Sequence, residues 1–274
     1  MSAVEDSLYK PYDQFVLFGD SITQMSSSQD QGFGFQPALQ DAYSRALDVI
    51  NRGFGGYTTA HAVKVFPKFF PTPETATVRF LTIWFGANDA SLLESDNKQH
   101  VPLDVYKKNL VSLVQYPATV AQQPRIIVIT PTPVNEYQLQ SFDEDKGNNH
   151  PTRTNSRTRE YAQAAREVAE SLNIPVVDLW TAFMTTVGWK EGDPLIGSRE
   201  APNNEKFASL FTDGACYPPQ KVFLVPISQS GLHLTADGYR IVYNEVVGAI
   251  EANWPDQAPG KLPYVHPPWM EAPK

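Results

Sequence analysis

Phe15-Val16-Leu17-Phe18-Gly19-Asp20-Ser21-Ile22-Thr23 is the stretch whose reading decides the fold. An apolar run halts abruptly at Gly19-Asp20-Ser21. Such a run, apolar at successive positions instead of alternating, fits a short strand covered on both faces in a parallel sheet. The glycine then permits a sharp turn, and an acid and a hydroxyl come next at the strand's carboxyl end. In open α/β sheets that is where rigidly held loops carry catalytic groups. Taken alone, the tripeptide could equally be a strand end that caps a helix.

Outward from this stretch the pattern repeats. Leu47 to Arg52, Arg79 to Ala87, Arg125 to Thr130 and Pro175 to Leu179 read as further short strands. Between them, Gln36 to Ala46, the residues around Ala60, Val63 and Phe66, Leu103 to Val114, and Thr154 to Leu172 carry helical spacing, and Thr235 opens a last helix with Tyr239, Val242, Val246 and Ile250 on one face. Strands alternating with helices fold through right-handed crossovers into a doubly wound parallel sheet. No G-x-G-x-x-G follows any strand, so the flavodoxin-like strand order is expected over the dinucleotide-binding one. Ser26 to Gly34 and Gly188 to Asn204 read as loops, and the proline-rich stretch 255–274 as an extended tail. One domain spanning 1–274 is expected.

With 274 residues, 42% of them hydrophobic, the chain can bury a large core. A net charge of −8 without a basic cluster argues against nucleic acid or an anionic membrane surface as a partner. The single cysteine, Cys216, rules out a disulfide framework and a multi-cysteine metal site. The N-terminal residues lack a signal-peptide pattern, no apolar run is long enough to span a membrane, and no N-x-[ST] sequon occurs, so a cytoplasmic protein is expected.

Three strand ends carry groups suited to one site. Ser21 offers a nucleophilic hydroxyl, Gly56 in Gly53-Phe54-Gly55-Gly56-Tyr57 an uncrowded backbone N–H, and Asn88 in Gly86-Ala87-Asn88-Asp89 a side-chain amide. Donors of the last two kinds can hold the negative charge of a tetrahedral intermediate. A histidine must then serve as base. Of His61, His100, His150, His233 and His266, the best placed is His233, just before the last helix. Individually, Gly56 could be only a turn residue, Asn88 a helix cap and His233 a surface histidine. A G-x-S-x-G elbow is missing around Ser21, which argues against an α/β-hydrolase. Asp20, Asp89 and His233 are too scattered to argue for a metal, and no cofactor is expected. Tyr57, Trp84, Phe85 and Trp180 could line an acyl or alcohol pocket or belong to the core.

These motifs, in this order, resemble the SGNH hydrolases, also called GDSL esterases and lipases: Ser21 in Gly19-Asp20-Ser21-Ile22, Gly56 in Phe54-Gly55-Gly56-Tyr57, Asn88 in Gly86-Ala87-Asn88-Asp89, His233 in Gly231-Leu232-His233-Leu234. Stretches such as Gln99-His100-Val101-Pro102-Leu103 and Thr130-Pro131-Thr132-Pro133-Val134-Asn135-Glu136 are most similar to the isoamyl acetate-hydrolysing esterases within that family. The likeness runs over about residues 12–252. It implies a three-layer α/β/α sandwich on a five-stranded sheet, and hydrolysis of short-chain, acetate-type carboxylic esters through an acyl-serine. It also implies that the Ser21 N–H joins Gly56 and Asn88 in the oxyanion hole. The implied partner is a small-molecule ester, with a homodimer left open. An acyltransferase, a carbohydrate deacetylase, and a binding module or impaired homologue without a working triad remain alternatives.

The chain departs from the family at one place. The family's acid stands three residues before the histidine, where this sequence has Ser230. Phe211-Thr212-Asp213-Gly214 resembles the usual opening of that segment, and joining Gly214 directly to Leu232 would restore it. The reading is therefore that Asp213 is the triad acid and that Ala215 to Gly231 is an insertion, either a translated intron or a genuine loop returning Asp213 to His233. Asp237 is a second possible orienter, better suited to the start of the last helix.

Overall fold

A computed structural model describes residues 11–272 apart from residues 31, 146, 149 and 214–228. In chain order its first half runs β1 (Asp13–Gly19), α1 (Ser21–Met25), α2 (Phe35–Ala42), β2 (Leu47–Gly53), α3 (Thr59–Val65), β3 (Val78–Trp84), α4 (Leu103–Val114), α5 (Pro117–Gln122) and β4 (Arg125–Ile129). The second half runs α6 (Glu136–Asp145), α7 (Asn155–Ser171), β5 (Val176–Val177), α8 (Leu179–Thr186), α9 (Glu205–Ala208), β6 (Phe211–Asp213), β7 (Gln229–Leu234) and α10 (Ala236–Asn253). The main sheet has five strands in the order β2-β1-β3-β4-β5, all parallel. That is the flavodoxin-like order.

The pleat of β1 shows why its apolar run is continuous. Phe15 and Leu17 enter one core with Phe35 and Leu39 of α2, Phe183 of α8 and Val242, Val246 and Ile250 of α10. Val16 and Phe18 enter a second core with Ala62 of α3, Leu110 of α4, and Tyr161 and Ala165 of α7. Successive side chains thus meet helices on opposite faces, which makes the α/β/α sandwich. Both Phe15 and Phe18 are fully buried, and truncating either to alanine should cost about 3–5 kcal/mol. Trp84, Phe85 and Trp180 lie in these cores, while Tyr57 is half-buried and stacks on Phe54.

Some elements differ from the sequence reading. The last strand is only Val176–Val177, because Asp178 accepts from the Thr181 N–H and caps α8 at once. Helices α5, α6 and α8 are not marked by clear apolar periodicity. The β3 strand ends at Trp84, leaving Phe85 to Ala87 to turn toward the strand ends.

The two ends of the sheet are built differently. At the carboxyl end, the register aligns Gly19 of β1 with Gly53 of β2 and Trp84 of β3, so three strands end at one level and release three loops side by side. At the other end of the sheet, residues 255–272 lie against the start of β1 and β3. Arg45 donates to the carbonyls of His266 and Pro267 at 3.0 and 2.8 Å, and Gln257 accepts from Arg79 at 2.9 Å. Beside the main sheet, β6 and β7 form an antiparallel pair.

Candidate active site

Each of the three loops delivers one group. After β1, the Asp20 carboxylate accepts from the Ile22 N–H at 2.9 Å and caps α1, which places Ser21 in its first turn. After β2, the Tyr57 N–H closes on the Phe54 carbonyl at 3.1 Å, and Gly56 has φ +77°. That is the turn position where a side chain would be strained and glycine is free. The turn is tied back to α1 through Gln24, whose Oε1 accepts from the Gly55 N–H at 2.7 Å. After β3, Asn88 is buried and donates through Nδ2 to the Tyr57 carbonyl at 2.9 Å. The second hydrogen of that amide is available to a ligand.

The fourth group comes from β7. His233 Nε2 and Ser21 Oγ stand 3.0 Å apart across 212 positions of sequence. On the other ring nitrogen, Nδ1 lies 3.3 Å from Ser230 Oγ, which also accepts from the backbone N–H of His233 at 3.2 Å. The arrangement suits the tautomer with the proton on Nδ1, leaving Nε2 to accept from the serine hydroxyl. Gly231 anchors the strand: its carbonyl accepts from the Asn135 N–H at 2.8 Å, and its φ is +57°. A Cβ there would fall 2.3 Å from the Asn135 carbonyl.

The other histidines serve elsewhere. His61 Nδ1 accepts from the Thr58 N–H at 3.2 Å at the start of α3, and His100 Nδ1 donates to the Ser91 carbonyl at 2.8 Å. His150 and His266 are exposed. Asp237 lies in the first turn of α10 with its side chain 75% exposed, facing Arg240 instead of His233. Asp213 belongs by its backbone to β6, where it pairs with Gln229 of β7. Its side chain, like most of the segment 215–231, lies outside the described residues. Of that segment, Gln229 to Gly231 are part of β7.

Ser21 and His233 are 9% and 8% exposed. Burial first, and the charge of Arg153 second, push the imidazole down to about 4, so the ring is neutral at neutral pH. Burial also raises Asp20 to about 7 and Asp89 to about 6. Asp89 accepts from both the N–H and the hydroxyl of Thr59, at 2.9 and 2.5 Å, which ties the loop after β3 to the start of α3. Among the described residues no group of histidine, cysteine or acidic side chains is arranged to hold a metal ion.

Near the site, Arg153 had no signal in the sequence pattern, and Gln99 had one only as the first residue of the Gln99–Leu103 stretch that carries the family resemblance. Arg153, just before α7, donates to Asn88 Oδ1 and to Gln99 Oε1, each at 2.8 Å. Gln99 in turn donates to the Gly56 carbonyl at 2.9 Å. The site therefore presents a hydroxyl paired with a neutral imidazole, beside a glycine turn and a held amide. That set can attack a carbonyl carbon and hold the oxyanion that results.

The GDSL-like Lipase/Acylhydrolase family matches residues 17–241. A GDSL esterase/lipase of Arabidopsis thaliana is 34% identical over 92% of this chain and 91% of its own. A human isoamyl acetate-hydrolyzing esterase 1 homolog is 32% identical over 94% of this chain and 87% of its own. Among solved structures, a lipase/acylhydrolase from Enterococcus faecalis superposes with a TM-score of 0.57 at 23% identity, covering 88% of this chain and 96% of that one. The acetylxylan esterase Axe2 of Geobacillus stearothermophilus gives 0.57 at 18% identity, covering 87% and 94%. At those identities the structural likeness speaks for the fold.

Proposed function

The chain belongs to the GDSL-like lipase/acylhydrolase family and is a hydrolase, and from that premise we propose that it cleaves short-chain carboxylic esters through an acyl intermediate on Ser21. The observation that carries the reading is the 3.0 Å contact between Ser21 Oγ and His233 Nε2, flanked by Gly56 and Asn88. The preference for acetate-type esters is inferred from the likeness to relatives named as isoamyl acetate-hydrolyzing esterase 1 homologs.

In this mechanism the Ser21 oxygen bonds to the ester carbonyl carbon as its proton passes to His233 Nε2. The oxyanion takes hydrogen bonds from the Gly56 N–H, the second Asn88 Nδ2 hydrogen and the Ser21 N–H. His233 returns the proton to the leaving alkoxide, which departs as the alcohol. Water then attacks the acyl-serine with His233 again as base, and the acid is released. Ser230 holds Nδ1 through a neutral oxygen. The full negative charge that would stabilise the imidazolium is assigned to Asp213, on the support that β6 pairs with the strand carrying His233.

Hydrolysis of isoamyl acetate and p-nitrophenyl acetate by the full chain, beside Ser21→Ala and His233→Ala, tests the reading. Turnover by the parent chain and loss of at least about 10³-fold in both variants is expected. Equal turnover by Ser21→Ala would place the chemistry elsewhere.

A further inference from the structure

Arg153 is a buried guanidinium, 5% exposed, at the residue preceding the N-cap of α7. The amino end of a helix is an unfavourable place for a cation. Nor are its hydrogen bonds to carboxylates. Nε donates to the Ala87 carbonyl at 2.6 Å and Nη1 to Thr152 Oγ1 at 3.3 Å, while Nη2 donates to Asn88 Oδ1 and Gln99 Oε1. Asp143, Asp20 and Asp89 offset its charge from farther away, and burial lowers it only to about 10, so it stays protonated. Burying a cation against neutral oxygens is costly, and a neutral side chain could fill the same space for less.

What the cost achieves is visible in where the fork ends. One branch fixes Asn88 by its amide oxygen, which sets Nδ2 beside the Gly56 turn, where it donates to the Tyr57 carbonyl. The other reaches the Gly56 carbonyl through Gln99. Pulling on the oxygen of an amide also makes its N–H hydrogens more acidic, and hence stronger donors. We propose that Arg153 is a positioning residue of the oxyanion hole, holding Asn88 directly and Gly56 through Gln99, and setting a positive charge behind the developing oxyanion. This role rests on the chain being an esterase that works through Ser21.

The test is a double-mutant cycle on the full chain, with kcat and KM for p-nitrophenyl acetate measured in Arg153→Met, Asn88→Ala and the pair. Arg153→Met should lower kcat on the order of 10–100-fold with little change in KM, since the group acts on the transition state. Asn88→Ala should cost about 100-fold in the parent but under about 10-fold in the Arg153→Met background, because its donor is already misplaced there. A brace remote from the chemistry would instead give penalties that multiply, and that result would overturn the proposal. The acid limb of kcat/KM should also move up in Arg153→Met and stay in Arg153→Lys, which keeps the charge.

Should Arg153→Met fail to show a cooperative thermal transition, Gln99→Met at a half-buried position carries the test. It should lower kcat several-fold with an unchanged melting temperature, and an undiminished kcat would overturn the Gly56 branch. A parent chain that turns over no ester sinks the esterase reading itself. A parent that is active while the Arg153 and Asn88 penalties multiply sinks only this inference.

Discussion

Ser230 Oγ stands 3.3 Å from His233 Nδ1, the ring position that a carboxylate occupies in a serine–histidine–aspartate triad. A hydroxyl there can fix the tautomer but brings no full charge to the imidazolium. The hydrogen bonds that Ser230 accepts from the backbone N–H groups of Leu232 and His233 keep it in place, at 3.4 and 3.2 Å. A carboxylate at this position could accept the same bonds.

With Asp213 supplying the charge, Ser230→Asp should leave kcat within a few-fold of the parent, Ser230→Ala should lower it, and Asp213→Ala should lower it by up to about 10⁴-fold, the cost of breaking the analogous link in a serine protease. Steady-state kinetics on p-nitrophenyl acetate decide it. A Ser230→Asp enzyme faster than the parent by about 10-fold or more, with Asp213→Ala unchanged, would mean that Asp213 does not serve the imidazolium.

The depressed imidazole makes a prediction about pH. His233 is pushed to about 4, below the 6.5 ordinary for histidine, so Nε2 stays free to accept a proton well into the acid range. The acid limb of kcat/KM should fall near pH 4, not near 6.5. Its stability effect has the opposite bearing: the unfolded chain takes up this proton below about 6.5 and the folded chain only near 4, so folding weakens as pH falls through that window. A pH–rate profile from 3.5 to 8 with a limb near 6.5 would contradict the assignment.

Asp20 carries the reverse sign. Its folded value, about 7, lies above its ordinary 3.8, so its contribution to stability is full below about 3.8 and is lost as pH rises toward 7. Asparagine at this position keeps the cap on the Ile22 N–H yet has no charge to bury. Asp20→Asn should match the parent near pH 4 and melt at a higher temperature than the parent at pH 8. Equal melting curves at pH 8 would show that the carboxyl ionises there without cost.

Gly231 fixes the approach of β7. An alanine there meets the Asn135 carbonyl at 2.3 Å and must also adopt φ +57°. Gly231→Ala should cost about 1–3 kcal/mol of stability and shift His233 away from Ser21, lowering kcat together with the melting temperature. Full activity in a stable Gly231→Ala protein would show that the strand is not held at this point.

How much of the fold and the site was legible in the sequence depends on how local the cause is. The β1 run, unalternating because it is covered on both faces, announced a parallel sheet, and the register of Gly19 with Gly53 and Trp84 explains why groups at three strand ends could be read as one site. Helix α8 was not legible because Leu-Trp-Thr-Ala-Phe-Met is apolar nearly all round and follows a strand of two residues. Helix α6 is the opposite case, with only scattered apolar residues in Glu136–Asp145. Arg153 was invisible for a different reason: its partners Asn88 and Gln99 are 65 and 54 positions away, and only the fold brings them together.

The most direct measurement is the intact mass of the protein after brief reaction with a serine-directed fluorophosphonate, followed by peptide mapping. One adduct per chain is expected, on Ser21, absent in Ser21→Ala and slowed in His233→Ala. An unmodified Ser21 under conditions where the chain hydrolyses p-nitrophenyl acetate, or an adduct on another serine, would contradict the claim that Ser21 and His233 form the reacting pair.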